Sequence, residues 1–332
     1  MTEQADSDRC AARRRSLRFA AGIALSLLLL YLACKDVPFA DIGHALLRAN
    51  LPALALALLC VNAVNLVKAV RWQAILRPQE PALSLRRLFS VLMIGQAMNA
   101  FAPLRVGDVA RAYMVQGVGV GAALYSVVIE KAWDSLILLT TLAGLALVMP
   151  LPGWLKQSGV VFSLALVAVL VALIAAGRSS RLLPELSARL ERRVSALRRL
   201  QLAERAESAT RAMRSLGQGR LLLVVLLWTV AGWVLGIAAN YAAFWAMNLH
   251  VARPEVAATF LIVVLYLGAI VPSSPGKVGV FHYLVVISLS LFAVDKPAAL
   301  AYAVVLHLIV YGPTAVLGAY YVWRESQMRG RE

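Results

Sequence analysis

Cysteine, histidine and acid are scarce in this chain. The three cysteines, Cys10, Cys34 and Cys60, lie far apart without a C-x-x-C pair. That spacing supports neither a disulfide framework nor a thiolate metal site. Four scattered histidines show no ligand spacing, so no metal and no cofactor are expected. There is no Ser/His/Asp arrangement, no Walker loop and no G-x-G-x-x-G. The sequence therefore offers no catalytic motif and no sign of ATP coupling. Only 17 acidic residues stand against 33 basic ones, a net charge of +16. No zinc spacing, RNA-binding signature or soluble basic domain accompanies that charge, so nucleic acid is not the expected partner. The arginines read instead as cytoplasmic loops and contacts with anionic headgroups.

What the chain has is apolar length. Of 332 residues, 61% are hydrophobic, and mean hydropathy is +0.75. A bilayer core about 30 Å thick needs roughly 20 apolar residues per helix. Apolar runs lie at 17–34, 51–67, 85–101, 122–149, 160–176, 221–247, 256–271, 280–292 and 298–323. They are continuous and do not alternate, which argues for helices and against a barrel. The expected class is an all-α polytopic membrane protein. The basic stretch 13–18 and the apolar 19–33 read as an uncleaved first helix rather than a signal peptide.

Charge sets the orientation. The N-terminus holds five arginines (9, 13, 14, 15 and 18), loop 35–50 holds only Lys35 and Arg48, and loop 68–87 is basic again. If every later run crossed, segment 177–220 with its eleven arginines would fall outside, against the positive-inside rule. The conflict disappears if 85–121 enters, turns at Pro103 and returns on the same side. Such broken backbone survives at depth only inside protein or beside a wet cavity. Six spanning helices then place both termini in the cytoplasm. A second break follows at Pro272, Ser273, Pro275, Gly276 and Gly279, within a hairpin over 256–292. Residues 103–107 and 275–279 both read P-x-[RK]-V-G, offset by 172 residues. With Pro103 and Gly107 answering Pro275 and Gly279, an inverted repeat of two opposed hairpins is expected, as in transporters with broken helices. All of 1–332 is read as one transmembrane domain. Leucines and Val194 at three- and four-residue spacing over 182–213 read as a basic amphipathic helix on the inner surface.

Ionisable residues within spans cost about 2.5–3.5 kcal/mol each on insertion scales and are functional candidates by default. Glu130, Lys131 and Asp134 share one stretch of the fourth run. Two readings stay open: a local Lys131–Asp134 pair, or carboxylates facing Arg105 or Arg111 across a polar cavity. Asp108 and Arg111, three apart, are spaced to pair. The alternative for Arg111 is snorkelling to the interface. With Asn99, Arg105 and broken backbone, the set suits an anionic headgroup, which arginine grips bidentately. Arg71-Trp72 ends the second run and reads first as an interfacial anchor, with headgroup contact as the other reading. His282 and His307, each in an apolar run, read as buried hydrogen-bonders.

Asn65, Arg71-Trp72, the stretch NAFAPLRVGDVAR (99–111), Glu130-Lys131 with Asp134, and the stretch PSSPGKVGVFHY (272–283) together resemble the transmembrane region of the bacterial lysylphosphatidylglycerol synthase/flippase family. The likeness spans about residues 15–325. It implies an inner-membrane protein that moves or handles lipids: aminoacylated phosphatidylglycerol, hopanoid or polyprenyl-linked intermediates. It also implies roles for Arg105, Asp108, Arg111, Glu130, Asp134, Pro275, Gly276 and Gly279. His282 stands where the family often has glutamate, and His307 where arginine is common. No synthase domain lies within 332 residues, so lysyl transfer is not expected. The function expected is lipid flippase or transporter. The alternatives are an accessory that recruits a lipid synthase or glycosyltransferase through 177–220, and an intramembrane lipid-modifying enzyme with Asp108 or Glu130 as base.

Overall fold

The computed structural model describes residues 22–35, 37–102, 106–149, 168, 204–205, 207–210, 219–269, 271 and 273–329. The run 160–176, most of the basic segment 177–220, and Pro103, Arg105 and Pro272 lie outside the described residues.

The described chain is helical. In order come α1 (Gly22–Cys34), α2 (Phe39–Leu47), α3 (Leu51–Leu76), α4 (Leu85–Phe101), α5 (Val106–Met114) and α6 (Val120–Val148). After segment 177–220 follow α7 (Gly219–Ala246), α8 (Pro254–Gly268), a 3-10 turn (Pro275–Lys277), α9 (Val280–Ser290) and α10 (Lys296–Arg329). Four of these, α3, α6, α7 and α10, are long and apolar enough to cross a membrane. At 26 residues, α3 is about 39 Å long, more than the roughly 30 Å of a hydrocarbon core. Large apolar side chains stand exposed on these helices, among them Leu59, Leu147 and Val316. Water would not tolerate that surface, but acyl chains match it. The chain is an all-α polytopic membrane protein.

Two expectations about the first half need correction. Loop 35–50 contains α2, which starts after Pro38 in extended backbone. Helix α3 does not stop at residue 67. It continues to Leu76, so Lys68, Arg71 and Trp72 are helical residues rather than the start of a basic loop.

The chain forms two compact units. The unit of Asn62–Gly95, Gly107–Leu235 and Leu317–Glu332 is built around Trp72, Leu76, Leu88, Val91, Ile129 and Val225. Within it, α4 and α5 meet at glycine: a Cβ on Gly95 would lie 2.9 Å from the carbonyl oxygen of Gly107 and 3.3 Å from Cβ of Arg111. Hydrogen on both residues lets the backbones touch. An Arg87–Glu325 ion pair and the edge-on rings of Phe89 and Tyr321 tie the end of α10 to α4.

The unit of Met1–Val61, Gln96–Val106 and Gly236–Val316 buries Leu261, Leu289, Leu300, Tyr302 and Leu306. Tyr302 donates from its hydroxyl to Asn240, so neither buried group goes unsatisfied. Helices α8 and α9 pack together, with Gly268 against Leu284, and Ala252 N–H donates to Phe292 O across their open ends at 3.2 Å. The break between them runs through positive φ at Gly276 (72°), Lys277 (56°) and Gly279 (90°). Gly279 has a further constraint: a Cβ there would strike the backbone oxygen of Ser26.

Candidate functional site

Four helices of one unit bring charge together. From α3, Arg71 reaches Asp134 of α6 with both terminal nitrogens, at 2.6 and 3.2 Å. The same guanidinium lies 3.5 Å from Glu130 and donates to Thr229 Oγ1 of α7 at 3.1 Å. From α5, Arg111 binds the other oxygen of Glu130 and lies 3.7 Å from Asp108. Glu130 thus bridges two arginines, one through each oxygen. Arg71, Arg111 and Glu130 are all buried, at 4, 4 and 2% exposure.

The arrangement follows from helix periodicity. Glu130 and Asp134, four apart, rise one turn along α6 and face α3 together. Thr229 turns its hydroxyl hydrogen to Val225 O at 2.7 Å, leaving its lone pairs for Arg71. The Arg111 guanidinium lies 4.8 Å over the ring of Trp72, a cation–π contact that replaces lost hydration. The Trp72 indole donates to Ser126 Oγ at 2.8 Å, which fixes the ring.

One edge of the cluster is open. Lys131, about half exposed, holds Asp108 at 3.1 Å. Lys68 on α3 lies within electrostatic reach of Asp134 and Glu130. Three paired cations, Arg71, Arg111 and Lys131, thus face three carboxylates, Asp108, Glu130 and Asp134. Both buried arginines are already occupied by carboxylate. An incoming anion would enter by exchange with Asp108 or Glu130.

These positions settle several contacts. Arg71 is not an interfacial anchor, because burial and two carboxylates hold it inside the unit. Arg111 does not snorkel. Lys131 pairs with Asp108 rather than Asp134, whose oxygens are taken by Arg71. Asn99 is half-buried on α4. Lys68 and Thr229 belong to the cluster and were missed. Lys68 looked like a loop cation, and the signal for Thr229 was a lone polar residue in an apolar run.

In the other unit, His307 Nε2 lies 2.7 Å from Gly276 O, fixing the 3-10 turn. The His282 and His307 rings stack at 5.0 Å, inclined by 33°, with Phe281 edge-on at 5.2 Å from His307. His282 Nδ1 is buried and has no hydrogen-bond partner among the described residues. Ser274 N–H donates to Ser26 Oγ at 2.8 Å, and Lys277 Nζ to Ala269 O at 3.3 Å, so Ser273, Pro275 and Gly276 lie in a turn held from both sides. No group of three or more metal-ligating side chains occurs among the described residues.

Residues 19–318 match the family model of the lysylphosphatidylglycerol synthase TM region. No curated protein matches the chain.

Proposed function

The chain belongs to the lysylphosphatidylglycerol synthase TM region family, a membrane protein related to lipid handling, and from that premise we propose that it is a lipid flippase or transporter. Its substrate carries an anionic headgroup, on a glycerophospholipid or a polyprenyl lipid. It works in the inner membrane of a bacterium, with both termini in the cytoplasm. Segments 85–121 and 256–292 are its two broken hairpins.

The observation that carries this reading is Glu130 held between Arg71 and Arg111, with Asp108 and Lys131 at the open edge. Charges this deep are costly, and in spans they mark substrate and ion pathways. Asp108 holds Arg111 only as an ion pair at 3.7 Å, too long for a hydrogen bond, so a phosphate that displaces it gains a charge-assisted hydrogen bond in its place. Asp134 orients Arg71, and in the other unit the histidine pair steadies the second turn.

The test is transbilayer movement of a fluorescent phosphatidylglycerol in vesicles containing the purified protein. Asp108→Asn is the informative variant. It alters the open edge and leaves the Arg71–Glu130–Arg111 core in place. Movement that slows in this variant supports the reading. Folded wild-type protein that moves no anionic lipid refutes it.

A further inference from the structure

A second feature lies outside the charge cluster. Helices α3 and α7 touch at Val67 and Gly232, where a Cβ on the glycine would meet Val67 Cγ1 at 3.6 Å. From there toward the C-terminus of α3 they part, leaving a groove of about 580 Å³. Its walls are Val70, Gln73 and Ala74 on one side, Leu221, Val224 and Trp228 on the other. Arg77 and the Pro78–Pro81 turn close the far end. From Val67 to Arg77 is ten residues, about 15 Å of helix. That is acyl-chain length, on the outer faces of two helices long and apolar enough to span a membrane.

The polar end has one sign. Arg77 is exposed and makes no ion pair among the described residues, and Arg220, one position before Leu221, is exposed too. Glu80, three residues after Arg77, is engaged elsewhere. It accepts from Ala82 N–H at 3.1 Å and packs against Gly117. The groove therefore joins an apolar trough to uncompensated arginine, the pairing that a lipid's tail and anionic headgroup would match. An aromatic wall, Trp228, suits that boundary.

We propose that this groove is a stationary binding site for one anionic diacyl phospholipid of the bilayer. An acyl chain lies along Val70, Ala74 and Val224, and the phosphate sits on Arg77. The site is separate from the Arg71–Arg111 cluster, and the inference does not rest on the transport reading. Thr229, which binds Arg71, follows Trp228 directly. The bound lipid therefore braces the outer side of the helix whose inner side positions Arg71.

The test uses the full chain in phosphatidylcholine vesicles doped with phosphatidylglycerol carrying a photoreactive acyl chain, followed by mapping of the labelled peptides. A phosphatidylcholine of identical tails is the control. Labelling is expected within 70–77 and 221–228, and about fivefold stronger for the anionic probe, the effect of one interfacial arginine. Ala74→Phe fills the trough and should abolish labelling there. Arg77→Ala, a surface change that folding tolerates, should remove the headgroup preference and leave labelling. Equal labelling by both probes in the wild type would reduce the groove to ordinary boundary lipid and overturn the proposal. So would labelling that persists unchanged in Ala74→Phe, or that falls elsewhere.

Discussion

Glu130→Gln isolates the linkage between the two buried arginines. The substitution keeps shape and removes one charge. Arg71 retains Asp134 through two bonds and Thr229 through a third. Arg111 fares worse. Its remaining partners are Asp108 at 3.7 Å and the face of Trp72. Removing one member of a buried pair costs about 3–5 kcal/mol, because the other charge stays buried without compensation. For a domain of this size that corresponds to a Tm loss on the order of 10 °C. Unfolding of the purified protein, followed by tryptophan fluorescence, reads it directly. Arg111→Met combined with Glu130→Gln should recover much of the loss, with a coupling above about 1 kcal/mol. Added anionic lipid should rescue the single variant more than the wild type, since it supplies the missing partner to Arg111. A single variant within about 2 °C of wild type, the range of a surface change, would refute the linkage.

Other substitutions probe the supports. Thr229→Val deletes one hydrogen bond to Arg71 and should cost about 1–3 kcal/mol in the same unfolding assay. Gly95→Ala drives a methyl against the Gly107 carbonyl oxygen and should cost about 1–3 kcal/mol, while an alanine at Gly144, which has open space around it, should be neutral within about 0.5 kcal/mol. Gly279→Ala combines positive φ with a collision against Ser26. It should lower expression of folded protein more than Gly95→Ala, as size-exclusion yield would show.

The fold class was legible because continuous apolar runs leave few alternatives. The end of α4 at 101 could be read directly, since Pro103 follows the apolar run, and its start at 85 takes in Arg86 and Arg87. The end of α3 could not. Lys68 and Arg71 look like loop cations locally, and the carboxylates that let them stay helical come from α6, about sixty residues later. The same non-local cause hid the role of Thr229. Hydropathy detects a lone hydroxyl in an apolar helix only as a minor defect, whereas geometry makes it a ligand of Arg71. Helix α2 was missed because nine residues are too short to stand out as a span between two longer apolar runs. Glycine spacing hinted at turns. Only coordinates reveal that Gly95 faces Gly107 and that Gly279 faces Ser26.

The most direct test of the central claim compares two fluorescent lipids with identical tails, one phosphatidylglycerol and one neutral phosphatidylcholine, in vesicles holding wild-type or Asp108→Asn protein. The account predicts that wild type moves the anionic lipid faster, and that Asp108→Asn changes that rate while leaving any slow neutral movement alone. Equal rates for both lipids, unaltered by the substitution, would contradict it: the charge cluster would then be structural, and headgroup recognition would lie elsewhere.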